Sequence, residues 1–111
     1  MKRKIIIECQ KDVKDCGPCC LSSIIKFYDG YVPLEKIRMD TFTSYEGVSA
    51  YHILKAAEKY GFDGFVKKSN NKNLSEIILP AIVHVIYKNG LTHFMCLYEI
   101  KGNNYILMDP S

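Results

Sequence analysis

Leu21, Ile24, Ile25 and Tyr28 fall at i, i+3, i+4 and i+7, the spacing that lays one apolar stripe along an α-helix. The pattern predicts an amphipathic helix opening at Cys16, with Asp15 as N-cap, Pro18 tolerated in the first turn and Asp29-Gly30 as the stop. Upstream, residues 5–7 read as a short strand and residues 10–14 as a polar linker. Downstream, residues 33–38 read as a short second helix and residues 41–47 as a loop. Ser49 then caps a third helix carrying Ile53, Ala56, Ala57 and Tyr60, with Gly61 at its C′ position.

The period changes in the second half. Residues 62–67 read as a strand, residues 74–79 as a short helical piece, and residues 81–87 as a β-rich apolar run. Lys88-Asn89-Gly90 ends that run, and Asn-Gly between two such runs is a hairpin signal because both residues accept positive φ. Residues 92–100 form the partner strand, Gly102-Asn103-Asn104 a second turn, and residues 105–108 a third strand closing at Asp109-Pro110. Helices first and an antiparallel meander afterwards predict an α+β domain, the N-terminal helices packing on the sheet. No internal repeat, low-complexity tract or linker divides the 111 residues, which amount to one domain.

With 48% hydrophobic and 24% charged residues the chain is expected to fold rather than stay disordered. A net charge of +3 is too mild to indicate nucleic acid, and the one basic cluster, Lys2-Arg3-Lys4, reads as a solvated start. No apolar run approaches the roughly 18 residues of a membrane span, and the N-terminus lacks the pattern of a signal peptide. A cytoplasmic chain is expected. Its five cysteines (Cys9, Cys16, Cys19, Cys20 and Cys96) are an odd number without a secretion signal, which argues against a disulfide framework.

Chemistry concentrates in residues 15–20, "DCGPCC". The embedded CGPC is a thiol–disulfide exchange sequence, but that chemistry needs a buried strand leading into the helix. Five of the six residues before Cys16 are polar instead, and Leu79-Pro80 does not by itself establish a cis turn. Cys16 and Cys19 have the spacing of half a zinc site, yet His52, His84, His93 and Cys96 are isolated and offer no second pair. As a nucleophile, Cys16 is favoured over Cys19 and Cys20, since unpaired amides and the macrodipole at a helix start favour thiolate. Such a thiol needs a base, a group to orient it, and donors for an oxyanion. His52 lies in the first turn of the third helix, and His84 sits mid-strand between Val83 and Val85. His93 begins a strand whose neighbour ends at Asp109, so a cross-strand contact is available. The residues alone leave both His93 and His84 open, and Asp109 before Pro110 also reads as a turn starter.

The ordered set "QKDVKDCGPCCLSSIIKFYDG", "GVSAYHILKAAEKYGF", "LPAIVHV", "THFMCLYEI" and "YILMDPS" resembles the peptidase C39 family, the papain-like cysteine peptidase domain of bacterial ABC transporters that mature and export bacteriocins. The likeness runs from Gln10 to Ser111. It implies that Cys16 is the nucleophile, His93 the general base and acid, and Asp109 the acceptor for the imidazole N–H. Gln10 would share the oxyanion hole with the Cys16 amide. It implies a precursor peptide as partner, cleaved after a double-glycine motif at the end of a helical leader, with no cofactor, no metal and no nucleic acid. It further implies transmembrane and ATP-binding domains in a longer chain, with this domain, residues 1–111, at the inner face of the membrane. The family's sheet continues beyond Asp-Pro, so a fragment truncated at the C-terminus is expected.

Gly17 reads as room for substrate backbone beside the sulfur, or as a relaxed helix start. Phe42, Tyr45, Val48 and Tyr51 are candidates for the leader groove, or for the core. Cys19 stands where the family commonly has alanine and adds a thiol able to pair with Cys16 on oxidation. Two alternatives are a noncatalytic leader-binding domain and a dithiol oxidoreductase using Cys16 and Cys19.

Overall fold

The first helix is almost wholly enclosed, because its residues between the apolar positions are small. In the computed structural model, which describes residues 5–8, 15–43, 48–66, 77–86 and 88–111, helix α1 (Cys16–Phe27) is buried without a break from Gly17 to Ile25. The amphipathic expectation underestimates this. Glycine, proline, cysteine and serine fit under neighbouring elements wherever their polar atoms find partners. Ser23 Oγ donates to the Ile6 carbonyl at 2.6 Å and Ser22 Oγ to Glu8 at 3.2 Å.

Two further helices, α2 (Leu34–Asp40) and α3 (Ala50–Lys59), flank α1, and strands β1 (Ala81–Ile86), β2 (Thr92–Lys101) and β3 (Asn104–Met108) follow. Among the described residues the strands form one antiparallel sheet in the order β1-β2-β3. The α+β architecture is therefore as expected. Ser49 caps α3 by accepting from the His52 amide at 3.2 Å, and Gly61 follows α3 with φ +96°. The Asn-Gly hairpin is present as well, with Gly90 at φ +86° and the Leu91 amide donating to Asn89 Oδ1 at 3.0 Å.

Several local expectations need correction. Residues 5–8 and 62–66 are not strands, and among the described residues no neighbouring strand supplies them with a ladder. Residues 77–79 are not helical, and residues 67, 74–76 and 87 of the predicted elements lie outside the described residues. α1 stops one step earlier than the Asp29-Gly30 reading implied: Tyr28 is the C-cap, and Asp29 itself takes the left-handed conformation at φ 68°. Leu79-Pro80 is cis.

α1 and β2 advance together. Gly17 lies against Phe94, the Cys96 thiol donates to the Cys20 carbonyl at 3.3 Å, Ser23 bonds the Tyr98 hydroxyl, and Phe27 meets the Tyr98 ring at 5.6 Å. One pleat of β2 (Phe94, Cys96, Tyr98) thus faces the helix and joins Leu21, Ile24, Ile25, Ile37 and Ile53 in the core. A bulge follows, Leu97 pairing with Leu107 and Glu99 with Ile106, so that Tyr98 is the inserted residue.

Gly17 occupies the tightest point of this packing. A Cβ there would lie 2.3 Å from Val48 Cγ1 and 3.1 Å from Ile53 Cδ1. The room beside Cys16 that the sequence suggested for substrate is filled by the protein's own side chains. Gly17→Ala is accordingly expected to destabilise the fold by about 1–3 kcal/mol through overpacking, despite alanine's better helix propensity. Urea denaturation of Gly17→Ala, Val48→Ala and the double variant checks this, with a favourable coupling of about 1 kcal/mol expected in the double.

Candidate active site

Cys16 opens α1 and His93 is the second residue of β2. The residues that follow them, Gly17 and Phe94, are in contact, so helix and strand start at the same end of the molecule. Cys16 is half-buried and packs against the edge of the core. Cys19, Cys20 and Cys96 are 1% exposed or less. Burial pushes the Cys19 thiol up to about 12, helped by the Asp15 carboxylate. The Cys20 thiol is also raised, by its hydrogen bond with Cys96 and then by burial. These three sulfurs behave as small core side chains. Burial and a raised pKa make Cys19 a poor attacking thiolate, which leaves Cys16 as the candidate nucleophile of the pair. Cys9 lies outside the described residues.

The His93–Asp109 contact that the hairpin made available is formed. His93 Nε2 lies 2.7 Å from Asp109 Oδ1, the ring being nearly buried and the carboxylate 44% exposed. Asp109 comes immediately after β3, whose last residue, Met108, pairs with Cys96; this brings the carboxylate beside the start of β2. The same Oδ1 accepts the Ser111 amide at 3.0 Å and the Ser111 hydroxyl at 2.7 Å. Partial burial raises the Asp109 pKa, but the bonds from Ser111 and His93 outweigh it and leave the carboxyl below its ordinary value. Sequence reasoning missed Ser111, although Asp-x-Ser across a proline is the pattern of a side chain folding back on the backbone two residues on.

Pleat parity separates the remaining histidines. His84 pairs with Phe94 in register and its ring lies flat on the phenyl, 4.2 Å away and 8° from parallel. The side chain stays exposed, but the hydration it loses against the phenyl ring lowers its pKa from the ordinary histidine value. His84 is therefore on the helix-facing pleat, while His93, one residue from Phe94, is on the other. His52 is half-buried in the first turn of α3, with Nδ1 2.9 Å from Ser49 Oγ.

Asp15 departs from its expected role. It occupies the N-cap position of α1 but makes no side-chain cap bond. Its fully buried carboxylate accepts from Arg38 Nε at 2.9 Å and from Arg38 Nη2. The residue type was a sound capping signal, but its partner stands on α2, beyond the reach of local pattern. Gln10 lies outside the described residues. Of the groove candidates, Phe42 and Tyr51 are strongly exposed, Val48 packs on the core, and Tyr45 is outside the described residues. Among the described residues no cluster of three or more His, Cys, Asp or Glu is arranged to hold a metal, and no helix is long and apolar enough to cross a membrane.

The Peptidase C39 family model matches residues 4–111. This chain belongs to the peptidase C39 family. Among similar proteins, the lactococcin-G-processing and transport ATP-binding protein LagD of Lactococcus lactis subsp. lactis is 35% identical over 98% of this chain and 16% of the relative. The pediocin PA-1 transport/processing ATP-binding protein PedD of Pediococcus acidilactici is 32% identical over 91% of this chain and 14% of its own length. The chain therefore spans about a sixth or less of these relatives. Solved structures agree on the fold. The peptidase domain of Streptococcus ComA superposes with a TM-score of 0.87 at 32% identity, covering 96% of this chain and 80% of that one. A double-glycine-motif protease from an AMS/PCAT transporter, in complex with its leader peptide, gives 0.87 at 30% identity, covering 99% and 76%. The papain-like fold expected from the C39 resemblance is the fold of these peptidase domains.

Because the Asp109 carboxyl is held below its ordinary value of 3.8, its contribution to stability is full above that pH and is lost as acid takes the pH down through the folded value. Wild type is expected to exceed Asp109→Asn in stability at pH 6, and the gap is expected to close as the pH falls below about 4. Thermal unfolding of both proteins across that range checks the sign.

Proposed function

We propose that this chain is a C39-type cysteine endopeptidase that removes the leader of a bacteriocin-type precursor after a double-glycine motif, with Cys16 as nucleophile. The observation that carries it is the oriented imidazole. An ionised Asp109, held down by Ser111, accepts from His93 Nε2 and so makes Nδ1 the basic nitrogen of the neutral ring. Alone among the described cysteines, Cys16 is not fully buried, and it sits at the same end of the molecule as that ring.

In this reading His93 takes the proton of the Cys16 thiol as the sulfur attacks the carbonyl carbon of the second glycine. The peptide nitrogen leaves with the proton returned by His93, and the leader remains as a thioester on Cys16. Water, deprotonated by His93, then attacks the thioester carbonyl and releases the leader carboxylate and the thiol. Gln10 and the Cys16 amide are the assigned donors to the oxyanion. The sequence needs no metal or cofactor, since thiol, imidazole and amides supply each proton and charge. The relatives are named as transport ATP-binding proteins; transmembrane and ATP-binding parts in a longer chain would place the domain at the cytoplasmic face of a membrane and couple cleavage to export.

The test is cleavage of a synthetic double-glycine precursor by the reduced chain. Cys16→Ala is expected to abolish turnover and Cys19→Ala to keep it. Equal loss in both would overturn the assignment, and leader binding without thiol-dependent turnover would favour a noncatalytic domain. Gln10→Ala is expected to lower kcat about a hundredfold with little change in KM, measured on the same peptide.

A further inference from the structure

We propose that Arg38 is a positioning residue for the nucleophile: its two-pronged ion pair holds the Asp15 carboxylate away from the first turn of α1 and cancels that buried charge beside Cys16. The inference rests on Cys16 being the nucleophile.

An aspartate at an N-cap ordinarily folds back onto the amides of the second and third helical residues. In α1 the third helical residue is Pro18, which has no N–H, so the local alternative is weakened. Asp15 instead turns to α2, and Arg38 meets both carboxylate oxygens with Nε and Nη2. This fork geometry belongs to arginine and not to lysine. Asp15 is 0% exposed, so water does little to screen it, and it is bonded in sequence to the residue that must carry negative charge on sulfur. Unpaired, it would oppose both the thiolate and the oxyanion that follows. The neighbouring Cys19 thiol already registers both influences after its own burial: Asp15 raises it and Arg38 lowers it.

Among the described residues the other charged or titratable groups around this turn are few. Cys19 and Cys20 lie on α1 itself, Glu8 approaches Cys19 from the N-terminal segment, and Glu35 stands near Arg38 on α2. β2 contributes His93, backed by Asp109, and the Cys96 thiol that bonds Cys20, while α3 contributes His52 in its first turn. None of these bonds Asp15 in place of Arg38 among the described residues.

The experiment is iodoacetamide alkylation of Cys16 from pH 5 to 9, read at that residue by mass spectrometry, in wild type, Arg38→Gln, Asp15→Asn and the double variant. Arg38→Gln is expected to move the alkylation midpoint up by about one pH unit and Asp15→Asn to move it down. The double variant is expected to return it close to wild type. A pair that only braces the fold would lower stability without opposite-signed shifts. An unmoved midpoint in Arg38→Gln, or a double variant that stays with it, overturns the proposal. Should Arg38→Gln fail to fold, Asp15→Asn decides: a downward shift supports the proposal, and an unmoved or raised midpoint overturns it. Alkylation needs no turnover, so a chain showing these shifts while cleaving no precursor would sink the peptidase reading and leave this one standing.

Discussion

The site depends on how one helix lies along one strand. From Gly17 on Phe94, through Cys20 on Cys96, to Ser23 and Phe27 on Tyr98, α1 and β2 run in the same sense in matched steps. Three helical residues correspond to two strand residues at each step, so a place on one element sets the place on the other. Cys16 and His93 precede the first step on either side. A glycine at position 17 is what lets that step close, since Val48 and Ile53 stand where a methyl group would go. The rest of the molecule keeps this alignment in place. α2 and α3 cover the remaining sides of α1, and β3 brings Asp109 and its Ser111 brace to the same end.

Cysteine does two different jobs in this arrangement. Cys20 and Cys96 meet where the helix crosses the middle of the strand, and Cys19 is sealed one turn in from the start. They supply small, polarisable volume where a larger side chain would force the layers apart. One string of six residues thus holds a half-open sulfur and two enclosed ones, and tertiary surroundings rather than spacing tell them apart. For that reason the CGPC string misleads when read alone.

Much of the architecture was legible because local signals agreed with it. The period of α1 and α3, the Ser49 cap and the Asn-Gly hairpin all depend on residues close together in the chain. Residues 5–7 and 62–67 looked like strands on propensity, but a strand exists only where another offers its ladder, and among the described residues none adjoins residues 5–8 or 62–66. Of the candidate site, the place of Cys16 at the start of α1 was legible. The choice between His84 and His93 was not, because one residue of register decides which pleat a side chain occupies. The family resemblance favoured His93, and the contact it makes with Asp109 is what sets it apart from His84, which stacks on Phe94. Asp15 was recognised as a helix-end residue but not as the partner of Arg38, since a contact spanning 23 positions leaves no periodic trace. Gln10, assigned from the resemblance, lies outside the described residues.

Helix α2 has a single fully buried side chain, Ile37, and is otherwise moored by charge. On one side Arg38 grips the enclosed Asp15; on the other, Asp40 accepts from Lys36, Lys59 and Tyr60, with both lysine side chains more than half exposed. Tyr60 and the two lysines together hold the Asp40 carboxyl well below the usual range. Mobile ions reach the second mooring and are largely excluded from the first. Rising ionic strength therefore slackens the tie between α2 and α3 while the tie to α1 endures, and the short helix turns into a strap fastened at one end, the end beside the sulfur.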